Sequence, residues 1–246
     1  MRHFFRAHAP NLAMLFLVSA AAQLGAAEAA PGAPAAHANL SLLDLVFKAG
    51  PIEGVLVILS IVSYSLGIQW MFNIKRENLV PEGLADELHN ILAEGPTDEA
   101  VENARALVAN DRSMLGNIIA AALDKKDYGY ETMKEAAELV GASETNKYMG
   151  KVSWMSMFAS SATLLGLLGT VSGIIGSFLV MSSNPGGADP SQLAGSIGEA
   201  LVCTGTGLFI AIGNLYIFFF LRGRVNTFTL DSAIVTNEIL DYFRSR

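Results

Sequence analysis

The stretch Val152–Leu221, VSWMSMFASSATLLGLLGTVSGIIGSFLVMSSNPGGADPSQLAGSIGEALVCTGTGLFIAIGNLYIFFFL, runs for 70 residues with two charges, Asp189 and Glu199. A helix needs roughly 20 apolar residues to cross a hydrocarbon core of about 30 Å, so the stretch is long enough for two spans. The turn formers Ser182-Ser183-Asn184-Pro185-Gly186-Gly187 cut it and predict a tight hairpin between them. Gly54 to Ile74 is a further uncharged run, closed at once by Lys75-Arg76, and its length fits one crossing. The fold class expected is therefore an all-α membrane protein with three transmembrane helices.

Composition agrees. Of 246 residues, 52% are hydrophobic and only 16% charged, which is too apolar for an ordinary soluble domain. A net charge of −7 with no clustered Lys/Arg face argues against nucleic acid as a partner, because that affinity rests on neutralising phosphates. The single cysteine, Cys203, excludes an intramolecular disulfide, and the four histidines have no Cys or His neighbours at zinc-ligand spacing. The glycine-rich runs match neither a dinucleotide fingerprint nor a phosphate loop, and no nucleophile elbow or H-E-x-x-H is present. No cofactor, metal or enzymatic chemistry is expected.

Ahead of the spans, Arg2 and Arg6, the apolar run Leu12 to Ala22 and Ala27-Glu28-Ala29 read in order as a signal peptide over residues 1–29. Residues 30–51 follow as an external segment, with Ser41-Leu42-Leu43-Asp44 opening a short interfacial helix. The spans are then placed at 52–74, 152–181 and 193–221, with an external loop at 182–192. Lys75, Arg76, Lys147, Lys151, Arg222 and Arg224 flank them on one side, so the positive-inside rule puts that side in the cytoplasm and the N-terminus outside it, Lys48 being the exception.

Residues 75–151 carry 24 of the chain's 39 charges and are read as a cytoplasmic domain of three or four helices, with breaks at Gly95-Pro96 and around Gly129. The last of these helices, from about Glu131, meets no proline and should run unbroken into the second span. Residues 222–246 should extend the third span as a cytoplasmic helix, with Phe228, Ile234, Val235 and Leu240 as its apolar stripe.

The chemistry is expected on the second and third spans. Gly166, Gly169, Gly173 and Gly176 recur at steps of three and four, a stripe that lets another helix approach closely. Thr163, Thr170 and Ser177 stand seven apart beside it; the plain alternative is that each hydroxyl bonds a carbonyl of its own helix. Glu199 lies within an apolar span that offers no Lys or Arg to pair with it. Such a carboxyl must face protein or water, and desolvation favours its taking up and releasing a proton near neutral pH. A neutral structural glutamic acid between helices is the competing reading. Glu53, at the start of the first span, reads as a solvated interface residue.

Gly166-Leu167-Leu168-Gly169-Thr170-Val171-Ser172-Gly173-Ile174 resembles the G-L-x-G-T-V-x-G-I signature of the MotA/TolQ/ExbB proton-channel family, and Ser196-Ile197-Gly198-Glu199-Ala200-Leu201-Val202-Cys203-Thr204-Gly205-Thr206-Gly207-Leu208 resembles its companion, G-I-A-E-A-L-x-A-T-A-x-G-L. The chain departs from that pattern at Ser196, Gly198 and Cys203. The three-span layout looks like the ExbB/TolQ branch. The resemblance implies a bacterial inner-membrane ring of these subunits, five in the family, around an ExbD/TolR-like single-span protein with a membrane aspartate, with a TonB- or TolA-like energy transducer beyond it. It implies that proton flow through the ring drives work at the outer membrane, with Glu199 as the pore glutamate and Thr170 and Thr204 as the pore threonines. Helical phase sets Thr204 about 140° from Glu199, with Cys203 and Thr206 nearer in angle, so Thr204 rests on the motif alone. The alternative is a non-conducting scaffold that assembles a transport or receptor complex.

Overall fold

The computed structural model of the chain describes residues 51–93, 95–183 and 190–244, with side chains from 193 onward in the last segment. Within them lie helices α1 (Pro51–Asn73), α2 (Arg76–Leu79), α3 (Glu82–Leu92), α4 (Asp98–Ala109), α5 (Met114–Leu123), α6 (Tyr130–Ser183) and α7 (Pro190–Leu240), two short 3-10 turns at Lys126–Tyr128 and Asp241–Phe243, and no strand. α1, α6 and α7 are each long and apolar enough to cross a membrane. The all-α, three-span architecture is the one expected from the sequence. The signal peptide, the external segment up to residue 50 with its interfacial helix, and Asn184-Pro185-Gly186-Gly187 of the turn-forming run lie outside the described residues, while Ser182 and Ser183, expected in the turn, are the last residues of α6.

α6 has 54 residues and α7 has 51, so each is about 80 Å long at 1.5 Å per residue, far more than a bilayer core requires. The absence of proline between Tyr130 and Ser183 leaves α6 no point at which to stop. Pro190 is the first residue of α7, a position where its fixed φ and missing N–H cost nothing.

The chain divides into two compact units. The first holds residues 51–62 and 158–216 of those described. Its core is built from Leu56, Ala159, Ala162, Cys203, Ile210 and Ala211, with Ile52, Leu59 and Leu165 packed against them. These are mostly small side chains, and the larger ones point outward: Ile58, Ile61, Leu164, Leu179 and Leu201 are all more than 60% exposed. An apolar surface of this extent suits lipid or neighbouring helices.

The second unit, residues 63–157 and 217–244, has a core of the soluble kind, with large fully buried side chains including Leu79, Leu88, Leu92, Met114, Leu115 and Leu123. Its short helices are capped in the ordinary way: the Thr97 hydroxyl accepts from the Ala100 N–H (3.2 Å) and Ser113 from Gly116 (3.0 Å). Gly95 and Gly129 turn the chain at φ +110° and +92°, where a side chain would be strained. Lys75, Lys151, Arg222 and Arg224 each stand over an aromatic ring, Phe72, Tyr148, Phe218 and Phe220, at 5.3, 5.4, 5.8 and 5.3 Å from its centroid. Basic and aromatic side chains paired at the ends of apolar runs mark a membrane–water interface.

Candidate ion-path site

Within the first unit α6 and α7 meet through glycine. A Cβ built on Gly166 would lie 3.2 Å from the Cys203 carbonyl oxygen and from the Thr204 Cα, and one on Gly207 would lie 2.6 Å from the Ala162 carbonyl oxygen and 2.9 Å from the Gly166 Cα. Gly169 lies directly against the Cys203 side chain, and a Cβ on Gly173 would come 2.6 Å from that of Ala200. Three glycines of the α6 stripe thus pack on α7. Gly176 has open space where its Cβ would stand.

This closeness brings two threonines together. Thr204 on α7 donates its hydroxyl to the Gly166 carbonyl on α6 (2.8 Å), and its oxygen lies 3.4 Å from that of Thr170. Thr170 donates to the carbonyl of Leu167 (2.8 Å). A hydroxyl has one proton to give. With both protons directed to backbone carbonyls, the adjacent oxygens present lone pairs, which can accept from a water or a protonated acid or hold a cation. Thr163 and Ser177, the other hydroxyls of that face, donate to the carbonyls of Ala159 (3.1 Å) and Gly173 (2.8 Å) in their own helix.

Glu199 is exposed on α7 and has no hydrogen bond or ion pair among the described residues. It stands five residues before Thr204, about 7.5 Å along the axis and on a different face, so the chain by itself does not bring the carboxyl to the hydroxyl pair. The two residues nearer to Glu199 in angle have other partners. Cys203 is buried against Gly169, and Thr206 bonds the Val202 carbonyl (3.1 Å).

Glu53 corrects the sequence reading. In place of a solvated interface residue, the structure has a carboxyl with 0% exposure and neither oxygen hydrogen-bonded among the described residues. The Cys203 thiol faces it without completing a bond to either oxygen. The sequence carried a signal for this. Glu53, Leu56, Ser63 and Gly67 are all buried, and their steps of three, seven and four place them on one helical stripe, so Glu53 shares the inward phase of α1.

The geometry defines a three-span helical membrane protein with polar groups set between tightly packed spans. Residues 110–232 match the model of the MotA/TolQ/ExbB proton channel family, and the chain belongs to that family. It is 30% identical over 184 residues to the biopolymer transport protein ExbB-like 1 of Synechocystis, covering 72% of this chain and 69% of that protein. It is 28% identical over 218 residues to the biopolymer transport protein ExbB of Neisseria meningitidis (80% and 94% covered). The Tol-Pal system protein TolQ of Haemophilus influenzae is 27% identical over 214 residues (82% and 92%).

Proposed function

We propose that the chain is the proton-conducting subunit of an ExbB/ExbD- or TolQ/TolR-like motor of the bacterial inner membrane, with its N-terminus periplasmic and its C-terminus cytoplasmic. The observation that carries this reading is the placement of Glu199, an exposed carboxyl within the apolar, membrane-spanning part of α7. A charged group at membrane depth does not face lipid, so this face is covered by protein or lines water. A homo-oligomeric ring, probed first as the pentamer the family resemblance implies, supplies both. Neighbouring copies cover the apolar side chains, and the carboxyls look inward at an ExbD/TolR-like helix bearing an aspartate. A TonB- or TolA-like transducer carries the work onward.

In this mechanism Glu199 takes a proton from one side and releases it to the other, while Thr170 and Thr204 offer acceptor oxygens to the water or acid passing them. Each proton crossing releases about 2.3 kcal/mol per 100 mV, and capturing that energy requires a group that binds and frees the proton at every passage. A carboxyl does this and an amide does not. Glu199→Gln should therefore leave partner pull-down unchanged and abolish proton flux into liposomes containing the complex, with Thr170→Ala reducing it less. The scaffold reading expects the reverse order, loss of assembly before loss of flux. A conducting Glu199→Gln complex would remove the mechanism.

A further inference from the structure

In the second unit α5, α6 and α7 border a groove that the ion path does not use. It is a cavity of about 470 Å³ whose lining includes Met114 and Ile118 of α5, Ala142 and Thr145 of α6, and Ala233 and Thr236 of α7. On α7 the lining runs from Thr229 to Leu240, about 16 Å of helix, and begins about 10 Å beyond Arg222, whose stacking on Phe218 marks the membrane surface. Among the described residues outside the three apolar spans, the exposed large apolar side chains are Tyr128, Leu139, Leu230 and Ile234. The last three flank this groove: Leu139 stands at helical spacing from the lining residues Ala142 and Asn146, as Leu230 and Ile234 do from Ala233 and Asn237. Apolar side chains left exposed beside a cavity mark a surface that a partner covers. Inside it Thr236 is only 4% exposed, and its hydroxyl has no hydrogen-bond partner among the described residues. Charge selects the occupant. Glu131, Glu135 and Glu138 stand at steps of four and three along one side of α6, all exposed and none in an ion pair among the described residues. Lys134 is the one cation among the lining residues. A second copy presenting the same face would set carboxylate against carboxylate, and an anionic bilayer surface is repelled in the same way, whereas a segment bearing Lys or Arg is attracted.

We propose that this groove docks a basic amphipathic helix, the juxtamembrane segment of a partner chain that crosses the same membrane. A helix of about three turns matches the length of the groove. Its apolar side chains, spaced three and four apart, would enter between Leu139 on one flank and Leu230 and Ile234 on the other, and its basic ones would meet the glutamates of α6. A membrane-spanning chain carries its Lys and Arg beside the span on the cytoplasmic side, and the groove opens within reach of that level. This source rests on the orientation proposed above; the groove, its apolar border and its charge do not.

The test uses the full chain in nanodiscs of phosphatidylcholine, whose surface is neutral, and a fluorescent helical peptide with Leu three and four residues apart and Lys elsewhere. The peptide should bind, and its affinity should fall at least about tenfold in three cases: when Glu131, Glu135 and Glu138 are all changed to Lys, when Ala142→Trp and Ala233→Trp together fill the groove, and when Glu replaces every Lys of the peptide. All five chain positions are exposed, so the substitutions spare the core, and the Glu peptide needs no variant at all. No binding, binding that either variant leaves unchanged, or equal binding of the Glu peptide overturns the proposal. In the complex purified from its membrane, a photo-crosslinking residue in place of Ala142 should join to residues beside the span of a partner chain. Cross-links to a second copy, or to a chain without a span, overturn it. Should Glu199→Gln conduct normally while the peptide and cross-links behave as expected, the channel reading fails and the docking site stands.

Discussion

Gly207→Ala tests whether α6 and α7 are held at a fixed, close distance. The added Cβ would stand 2.6 Å from the Ala162 carbonyl oxygen, 2.9 Å from the Gly166 Cα and 3.2 Å from the Gly166 nitrogen, all backbone atoms that no rotamer change can move. Restoring an ordinary contact of 3.4 Å parts the helices locally by about 0.8 Å. The Thr204 hydroxyl bond to the Gly166 carbonyl, now 2.8 Å, then opens to about 3.6 Å and is lost. Overpacking of this kind costs about 1–3 kcal/mol, and the lost hydrogen bond adds about 0.5–1.5 kcal/mol. The control is Gly205→Ala, where the new Cβ meets nothing within 4 Å. Both substitutions gain the same helix propensity, up to about 1 kcal/mol, so their difference isolates the clash. Unfolding by SDS in bicelles should place Gly207→Ala about 2–4 kcal/mol below Gly205→Ala. A difference within about 0.5 kcal/mol would mean that the spans are not in rigid contact at this point, and the Thr170–Thr204 pairing would go with it.

Two further outcomes follow from the same geometry and charge. Gly169→Leu and Gly173→Leu should destabilise the single chain, because both positions face α7 directly, whereas Gly176→Leu should leave the chain's stability intact and weaken its oligomer in native mass spectrometry if that glycine meets a neighbouring copy. Lys126 donates to the Asp98 carboxylate at 2.5 Å, and that hydrogen bond, followed by the ammonium charge, holds Asp98 below the usual carboxylate range. A depressed acid stabilises the fold above its unfolded pKa and ceases to do so as pH falls through the folded one. Lys126→Met should accordingly be slightly less stable than the natural chain at pH 7, with the gap in Tm closing in acid and in high salt. A gap unchanged by either would exclude the ion pair as its cause.

The spans were legible because a charge in hydrocarbon is costly, so a long gap in charge is a statement about environment that needs no tertiary information. The continuity of α6 was legible for a similar reason: between Tyr130 and Ser183 there is no proline to end it. What the sequence withheld was partnership. The α6 glycine stripe is periodic from Gly166 to Gly176, yet contact with α7 stops after Gly173, since a repeat on one helix cannot say where its neighbour diverges. Thr204 ranked low when judged by its angle from Glu199 on the same helix. Its position is intelligible only across the interface, where it bonds the Gly166 carbonyl and lies beside Thr170.

Glu53 shows the limit most plainly. A glutamate three residues into an apolar helix reads as the place where the chain leaves the membrane, because hydropathy averages over a window and assigns a polar end to water. Whether such an end is wet depends on what stands beside it, and here the carboxyl is fully buried with the Cys203 thiol facing it. Gly169, which lets Cys203 of α7 approach α6, also stands beside Ile52 of α1, so the small residues of the α6–α7 contact border the start of α1. A substitution that widens the α6–α7 contact should therefore be felt at Glu53 as well as at the threonines.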